Sequence, residues 1–206
     1  MVIGGNGVNG ASQSVEFWSP ADPEGGSCVL NFYPREMEAG PTVNLVSGRL
    51  IACYLDTCEI YQDRSWPHLQ DTTVTRTGHS SATTEDAVLL IGGIWSFTTE
   101  WIPVNGSAAQ PGPFTVRHMY DHCTIQISAD IIVVTGGDGT EDYVTQYQLN
   151  DSNATNLTSL AQPRRAHACG VYQDADGQQV RTRFLICREC SVQIINDFKI
   201  DTSSIF

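Results

Sequence analysis

Arg76-Thr77-Gly78-His79-Ser80-Ser81 leads into Ala87-Val88-Leu89-Leu90-Ile91-Gly92-Gly93 and then into Thr99-Glu100-Trp101-Ile102. The pattern comes back along the chain. An apolar run ending in a glycine pair returns as Val2-Ile3-Gly4-Gly5 and as Ile131-Ile132-Val133-Val134-Thr135-Gly136-Gly137. A basic residue shortly before a histidine returns at Arg117 with His122 and at Arg165 with His167. The step from His79 to His122 is 43 residues and from His122 to His167 is 45. A period in the forties marks a repeat architecture, in which each unit is a small sheet that cannot bury its own apolar faces alone. Glu16, Glu59, Glu100, Gln146 and Gln193 read as one recurring slot, at steps of 43, 41, 46 and 47 residues.

Composition agrees with short strands and turns. Charged residues are only 17% of the 206, Gly numbers 18, and the 41% hydrophobic share comes in bursts of four to six residues rather than helical stripes. A net charge of -12 with only 11 Lys and Arg argues against a nucleic-acid surface. No apolar run approaches the roughly 18 residues needed to cross a bilayer, so membrane insertion is not expected. Met1-Val2-Ile3 enters a strand directly, without a leader pattern, and the chain reads as a segment of a longer protein.

Seven cysteines and four Asn-x-Ser/Thr sequons point to an oxidising, extracellular compartment. The sequons are Asn105, Asn150, Asn153 and Asn156, three of them in one polar loop. Cys53 and Cys58 bracket one short turn, and Cys187 and Cys190 another, where other repeats carry the glycine pair; both spacings suit hairpin disulfides. Cys123 and Cys169 each lie just after a repeat histidine and can pair between neighbouring sheets, leaving Cys28 with a partner outside this segment. The competing reading is a cytosolic protein with reduced, buried thiols.

These residues resemble the kelch repeat: a basic residue, a Gly-His-Ser-like start, an apolar strand into Gly-Gly, then a late Trp, best kept at Arg76, Gly78-His79, Gly92-Gly93 and Trp101. The resemblance covers the whole chain in units of about 1–36 (partial), 37–75, 76–115, 116–163 and 164–206. The second unit lacks the glycines but keeps Tyr61 and Trp66, and the fifth lacks both glycines and Trp. Cysteines in place of glycines look like secreted kelch proteins. The resemblance implies an all-β propeller of four-stranded blades, four to five of them present, in an incomplete ring with further blades missing from the segment. A five-bladed ring closed by Phe198-Lys199-Ile200 pairing with the first unit is the alternative.

Motifs that carry chemistry have simpler readings here. Gly5-Asn6-Gly7-Val8-Asn9-Gly10 matches a dinucleotide fingerprint, but Ser14-Val15-Glu16-Phe17-Trp18 follows it where a helix would be required, so no cofactor is expected. Cys187-Arg188-Glu189-Cys190 has no second metal-spaced pair and reads as a hairpin disulfide. His79, His122 and His167 recur once per unit and read as structural, while His68 and His118 fall outside that register. Asp138-Gly139-Thr140-Glu141-Asp142 offers oxygens of the kind Ca²⁺ takes, and reads more simply as an acidic turn. Arg164-Arg165 occupies the pre-histidine position, where a cation supports packing between blades.

The resulting expectation is a non-catalytic, secreted or cell-surface propeller that binds a protein or glycan through the loops after its glycine pairs. Its candidate contacts are Asn6, Asn9, Trp95, Phe97, Asp138, Glu141 and Asp142. Two alternatives stand beside it. One is a galactose oxidase-like copper enzyme, whose two Tyr, two His and Cys ligands have no assignable counterparts in this sequence. The other is a cytosolic kelch adaptor or substrate receptor. Sialidase chemistry is not expected, because its Ser-x-Asp-x-Gly-x-Thr-Trp box is absent.

Overall fold

The computed structural model describes residues 42–117, 120–166 and 168–169 with their side chains, and elsewhere the backbone of short strands. Nineteen strands and no helix occur among the described residues. The first sheet has the order β1 (Val2–Ile3), β4 (Val15–Phe17), β5 (Cys28–Val29), with β2 (Asn6–Gly7) and β3 (Gly10–Ala11) as a separate hairpin. The second is β6 (Thr42–Val46), β7 (Arg49–Ile60), β8 (His68–Arg76). The third joins β9 (Ser80–Thr83), β10 (Ala87–Ile91), β11 (Thr98–Pro103) and β12 (Gln110–Thr115). The fourth joins β13 (Cys123–Gln126), β14 (Ile131–Thr135), β15 (Val144–Gln148) and β16 (Ala154–Asn156). The fifth is β17 (Ala168–Tyr172), β18 (Arg183–Arg188), β19 (Ser191–Ile195). All pairings are antiparallel meanders. Five sheets therefore follow one another, but only two are four-stranded among the described residues, fewer than the repeat implies.

In the second sheet the missing strand is hidden in β7, which folds back on itself. The Tyr61 N–H donates to the Leu50 carbonyl at 2.8 Å, and the Cα atoms of Cys53 and Cys58 stand 4.1 Å apart across their disulfide. Leu55, at φ 55°, turns the chain between them. Two-residue turns with positive φ flank this element at Ser47-Gly48 and at Asp63-Arg64, the twist that suits tight hairpins.

Contacts divide the chain into two units, Met1–Tyr120 and Asp121–Phe206. In the first, Val46, Ile51, Cys53, Cys58 and Ile60 of the second sheet bury against Val88, Leu90 and Ile102 of the third. Residues Val88 to Ile91 are all buried, which is why this run shows no alternation: both faces of the sheet are covered. The leading strands β6 and β9 are also tied by polar bonds. Thr42 Oγ1 and His79 Nε2 are 3.0 Å apart, and Ser81 Oγ donates to Asn44 Oδ1 at 2.9 Å. In the second unit Ile125, Val133, Val144 and Leu160 form the core, with Cys169 packed against it. A disulfide joins Cys123 of β13 to Cys169 of β17, Cα to Cα 6.0 Å.

Strand register corrects one reading of the repeat. Counting two residues past each histidine, Ser81, Thr124 and Cys169 pair with Leu90, Val134 and Ile186. Those three pair in turn with Glu100, Thr145 and Gln193. The recurring slot in the fourth sheet is therefore Thr145, which is buried, and Gln146 lies on the opposite face. A one-residue offset inverts the face of a strand, and Gln at 146 hid the offset by resembling Glu.

Candidate functional site

The loops after the glycine pairs are the places where the repeat leaves the sheets. Gly92 and Gly93 have φ of 62° and 109°, and Gly136 and Gly137 repeat this at 60° and 103°. A Cβ at Gly93 would stand 3.1 Å from Arg76 Cβ and 3.3 Å from His79 Cβ, so the second glycine admits the close approach of the segment leading to the histidine.

Arg76 fixes the first loop. Although it sits at the end of β8 in the second sheet, its fully buried guanidinium reaches into the third. Nη1 donates to the Gly92 carbonyl at 2.8 Å, to Ser96 Oγ at 2.7 Å and to the Thr98 carbonyl at 2.7 Å. Nη2 donates to Thr98 Oγ1 at 2.8 Å and to Glu100 Oε2 at 3.3 Å. Glu100 Oε1 accepts the Thr73 N–H at 2.6 Å. Burial lowers the Arg76 pKa, and the Glu100 carboxylate opposes that shift. His79 beside it is lowered to about 4, by burial first and by the Arg76 charge second. A neutral imidazole bonded to Thr42 is a strut between sheets.

What this anchoring holds out to solvent is aromatic. Trp95 is 82% exposed and Phe97 53% exposed. Trp95 also has φ 69°, a left-handed conformation that costs a bulky residue on the order of 1–3 kcal/mol. The bonds of Arg76 to both flanks of the loop and the Ser96 N–H to Gly93 carbonyl bond at 3.0 Å impose it.

The second loop, residues 138–143, is built differently. Thr140 is buried, with its hydroxyl donating to the Gly136 carbonyl at 3.2 Å, and the Arg164 N–H donates to the Glu141 carbonyl at 2.6 Å. Arg165 Nη1 meets Asp138 Oδ1 at 2.9 Å. Burial raises the pKa of nearby Asp121, with Arg165 opposing and Asp138 adding to the shift. Three residues before His167, Arg164 is the buried counterpart of Arg76 by spacing, whereas Arg165 is the exposed partner of the acidic turn. Glu141 and Asp142 are half-buried, and among the described residues no group of three or more His, Cys, Asp or Glu is arranged to hold a metal ion. Tyr143, which closes this candidate loop, is exposed.

The remaining candidates fall as follows. Asn6 lies in β2, so the loop from 6 to 12 contains a tight hairpin; Asn9 lies outside the described residues. The disulfides Cys53–Cys58 and Cys123–Cys169 are formed. Cys190, His118, His167 and the Phe198 segment lie outside the described residues, as do the side chains of Cys28 and Cys187. His122 is buried, and the exposed His68 shares a 3.1 Å bond with Thr57 Oγ1. Asn105, Asn150, Asn153 and Asn156 are all exposed. No helix among the described residues is long and apolar enough to cross a membrane.

No family model matches the chain, and no curated protein matches it in sequence. In three dimensions 162 solved chains match, among them one titled "Structure of YjhT", at TM-score 0.65 and 9% identity over 84% of this chain. The alignment spans 66% of that protein's length. At this identity the likeness speaks for the fold alone, and the fold is an all-β propeller built from successive antiparallel sheets.

Proposed function

We propose that this chain is part of a kelch-type propeller that acts without catalysis as an extracellular or cell-surface binding module, presenting the loop of residues 92–98 to a protein or glycan. The observation that carries the reading is Trp95, largely exposed and held at positive φ by a buried arginine that reaches across from the preceding sheet. Backbone strain that the surroundings over-determine clusters at ligand contacts, and an aromatic side chain fixed before binding loses little entropy on complex formation. The two disulfides are compatible with an extracellular location.

The test uses the secreted full-length protein on glycan arrays and on intact cells, compared with Trp95→Ser. Removing an exposed side chain leaves the melting temperature within about 2 °C of the parent. Binding falls at least about tenfold, as expected for a central aromatic contact. Equal binding by the variant would reject the assignment of this loop. Alcohol-dependent peroxide production by copper-loaded protein would replace the binding-module reading with the oxidase one.

A further inference from the structure

The outer strands of the third and fourth sheets face the same problem and solve it differently. An outermost strand presents unpaired backbone groups that invite another chain to add to the sheet. In β12 the problem is met by Pro111 and Pro113, which remove donors along a six-residue edge. Among the described residues β16 pairs only with β15, through Thr145, Gln146 and Tyr147, and all three of its residues, Ala154, Thr155 and Asn156, are exposed. It contains no proline and no charge. Instead a sequon asparagine stands just before it at Asn153 and another ends it at Asn156.

We infer that Asn156 carries an N-linked glycan that caps the outer edge of β16 and keeps the fourth sheet from pairing edge to edge with other chains. The inference rests on the extracellular reading above. Among the three clustered sequons the geometry selects Asn156 over Asn153. Asn153 already uses its Nδ2, the atom that would be modified, to donate to the Asp151 carboxylate. Asn156 is held through its Oδ1, which accepts from Thr145 Oγ1 at 3.4 Å, so the amide nitrogen takes a sugar with no bond lost. In the transfer, Nδ2 loses a proton and bonds to the anomeric carbon of the sugar. That carbon's bond to the diphosphate of a lipid-linked oligosaccharide donor breaks, and no redox change occurs. A bulky solvated group at the end of a three-residue edge leaves no room for an incoming strand.

The experiment secretes the full-length chain from a eukaryotic host, maps glycopeptides, and measures self-association by sedimentation. Expected results are glycan at Asn156 and a monomeric protein. Thr158→Ala, which breaks the sequon without touching Asn156, then strengthens self-association at least about tenfold. Adding Ala154→Lys, a charge on the same edge, restores the monomer. Asn153→Gln changes nothing. Trimming the native protein with an endoglycosidase that leaves only the first sugar reproduces the Thr158→Ala behaviour without any substitution, should that variant fold poorly. A bare Asn156 overturns the inference, as does a Thr158→Ala protein as monomeric as the parent. Glycan at Asn105 with Asn156 bare sinks this inference and leaves the extracellular reading standing, whereas four bare sequons with free thiols sink both.

Discussion

Arg76 shows how one buried cation organises its surroundings. It donates to two carbonyls, two hydroxyls and a carboxylate. Of these the Gly92 carbonyl, the Ser96 hydroxyl and the Glu100 carboxylate belong to buried residues, and a buried polar group left unpaired costs on the order of 1–3 kcal/mol. Glu100→Leu is expected to destabilise by about 4 kcal/mol, because it leaves a buried guanidinium uncompensated. The double variant Arg76→Leu with Glu100→Leu does not recover that loss, since the buried Gly92 carbonyl then lacks its arginine donor; a urea-unfolding double-mutant cycle reads both. His79 supplies a pH dependence. Its folded pKa, about 4, lies below the ordinary 6.5, so the unfolded chain takes up a proton first as pH falls. Its contribution is complete above pH 6.5 and is lost as pH drops toward 4. Asp121, raised by burial, acts with the opposite sign in the carboxylate range, so the upper part of that window belongs to His79. Thermal melts between pH 7 and 5 should show a declining Tm that flattens in His79→Gln.

At the scale of the element, glycine separates two kinds of constraint. Gly48 turns the β6–β7 hairpin at φ 76° with nothing within 4 Å of a built Cβ, so Gly48→Ala costs only its backbone strain, about 1 kcal/mol. Gly112 in β12 has no positive φ, but a Cβ there would stand 2.6 Å from the Thr99 carbonyl carbon. The register between β11 and β12 shifts between Thr98 and Glu100, and Gly112 lets the strands close over that irregularity. Gly112→Ala should therefore cost about 3 kcal/mol, more than Gly48→Ala, in chemical denaturation. The reverse ranking would mean that β12 moves aside freely. β7 teaches a related point. Cys53 and Cys58 stand where other units carry glycines, and their disulfide makes the tight reversal that glycine makes elsewhere.

At the scale of the whole molecule, stability is distributed over two units, each with its own core. The Cys123–Cys169 bridge closes a loop of 46 residues within the second, and the loop-entropy relation gives it about 4 kcal/mol. Replacing both cysteines with serine should lower the unfolding free energy of residues 121–206 by about that amount. Hydrogen exchange localises the effect: faster exchange in β13–β16, with β9–β12 unaffected. Uniform acceleration throughout the chain would instead mean that the units unfold as one.

The sequence by itself determined the all-β class, the repeat of small sheets and the glycine-pair turns, and it offered the pairings Cys53–Cys58 and Cys123–Cys169 that the structure then fixed. Strand runs, positive-φ demands and the Cys53–Cys58 spacing are local, written within a few residues of one another, whereas Cys123 and Cys169, 46 residues apart, are matched only by their places in the repeat. Only the tertiary structure decided which face each residue serves. It moved the recurring slot from Gln146 to Thr145, distinguished buried Arg164 from exposed Arg165, and joined Arg76 of one sheet to Glu100 of the next. It also showed that Trp95, a loop candidate from the sequence, is strained and largely exposed, whereas Trp66, Phe114 and Tyr147 are buried. Burial and partner choice depend on residues tens of positions away, and a strand's two faces differ by a single residue of register, which no local pattern fixes.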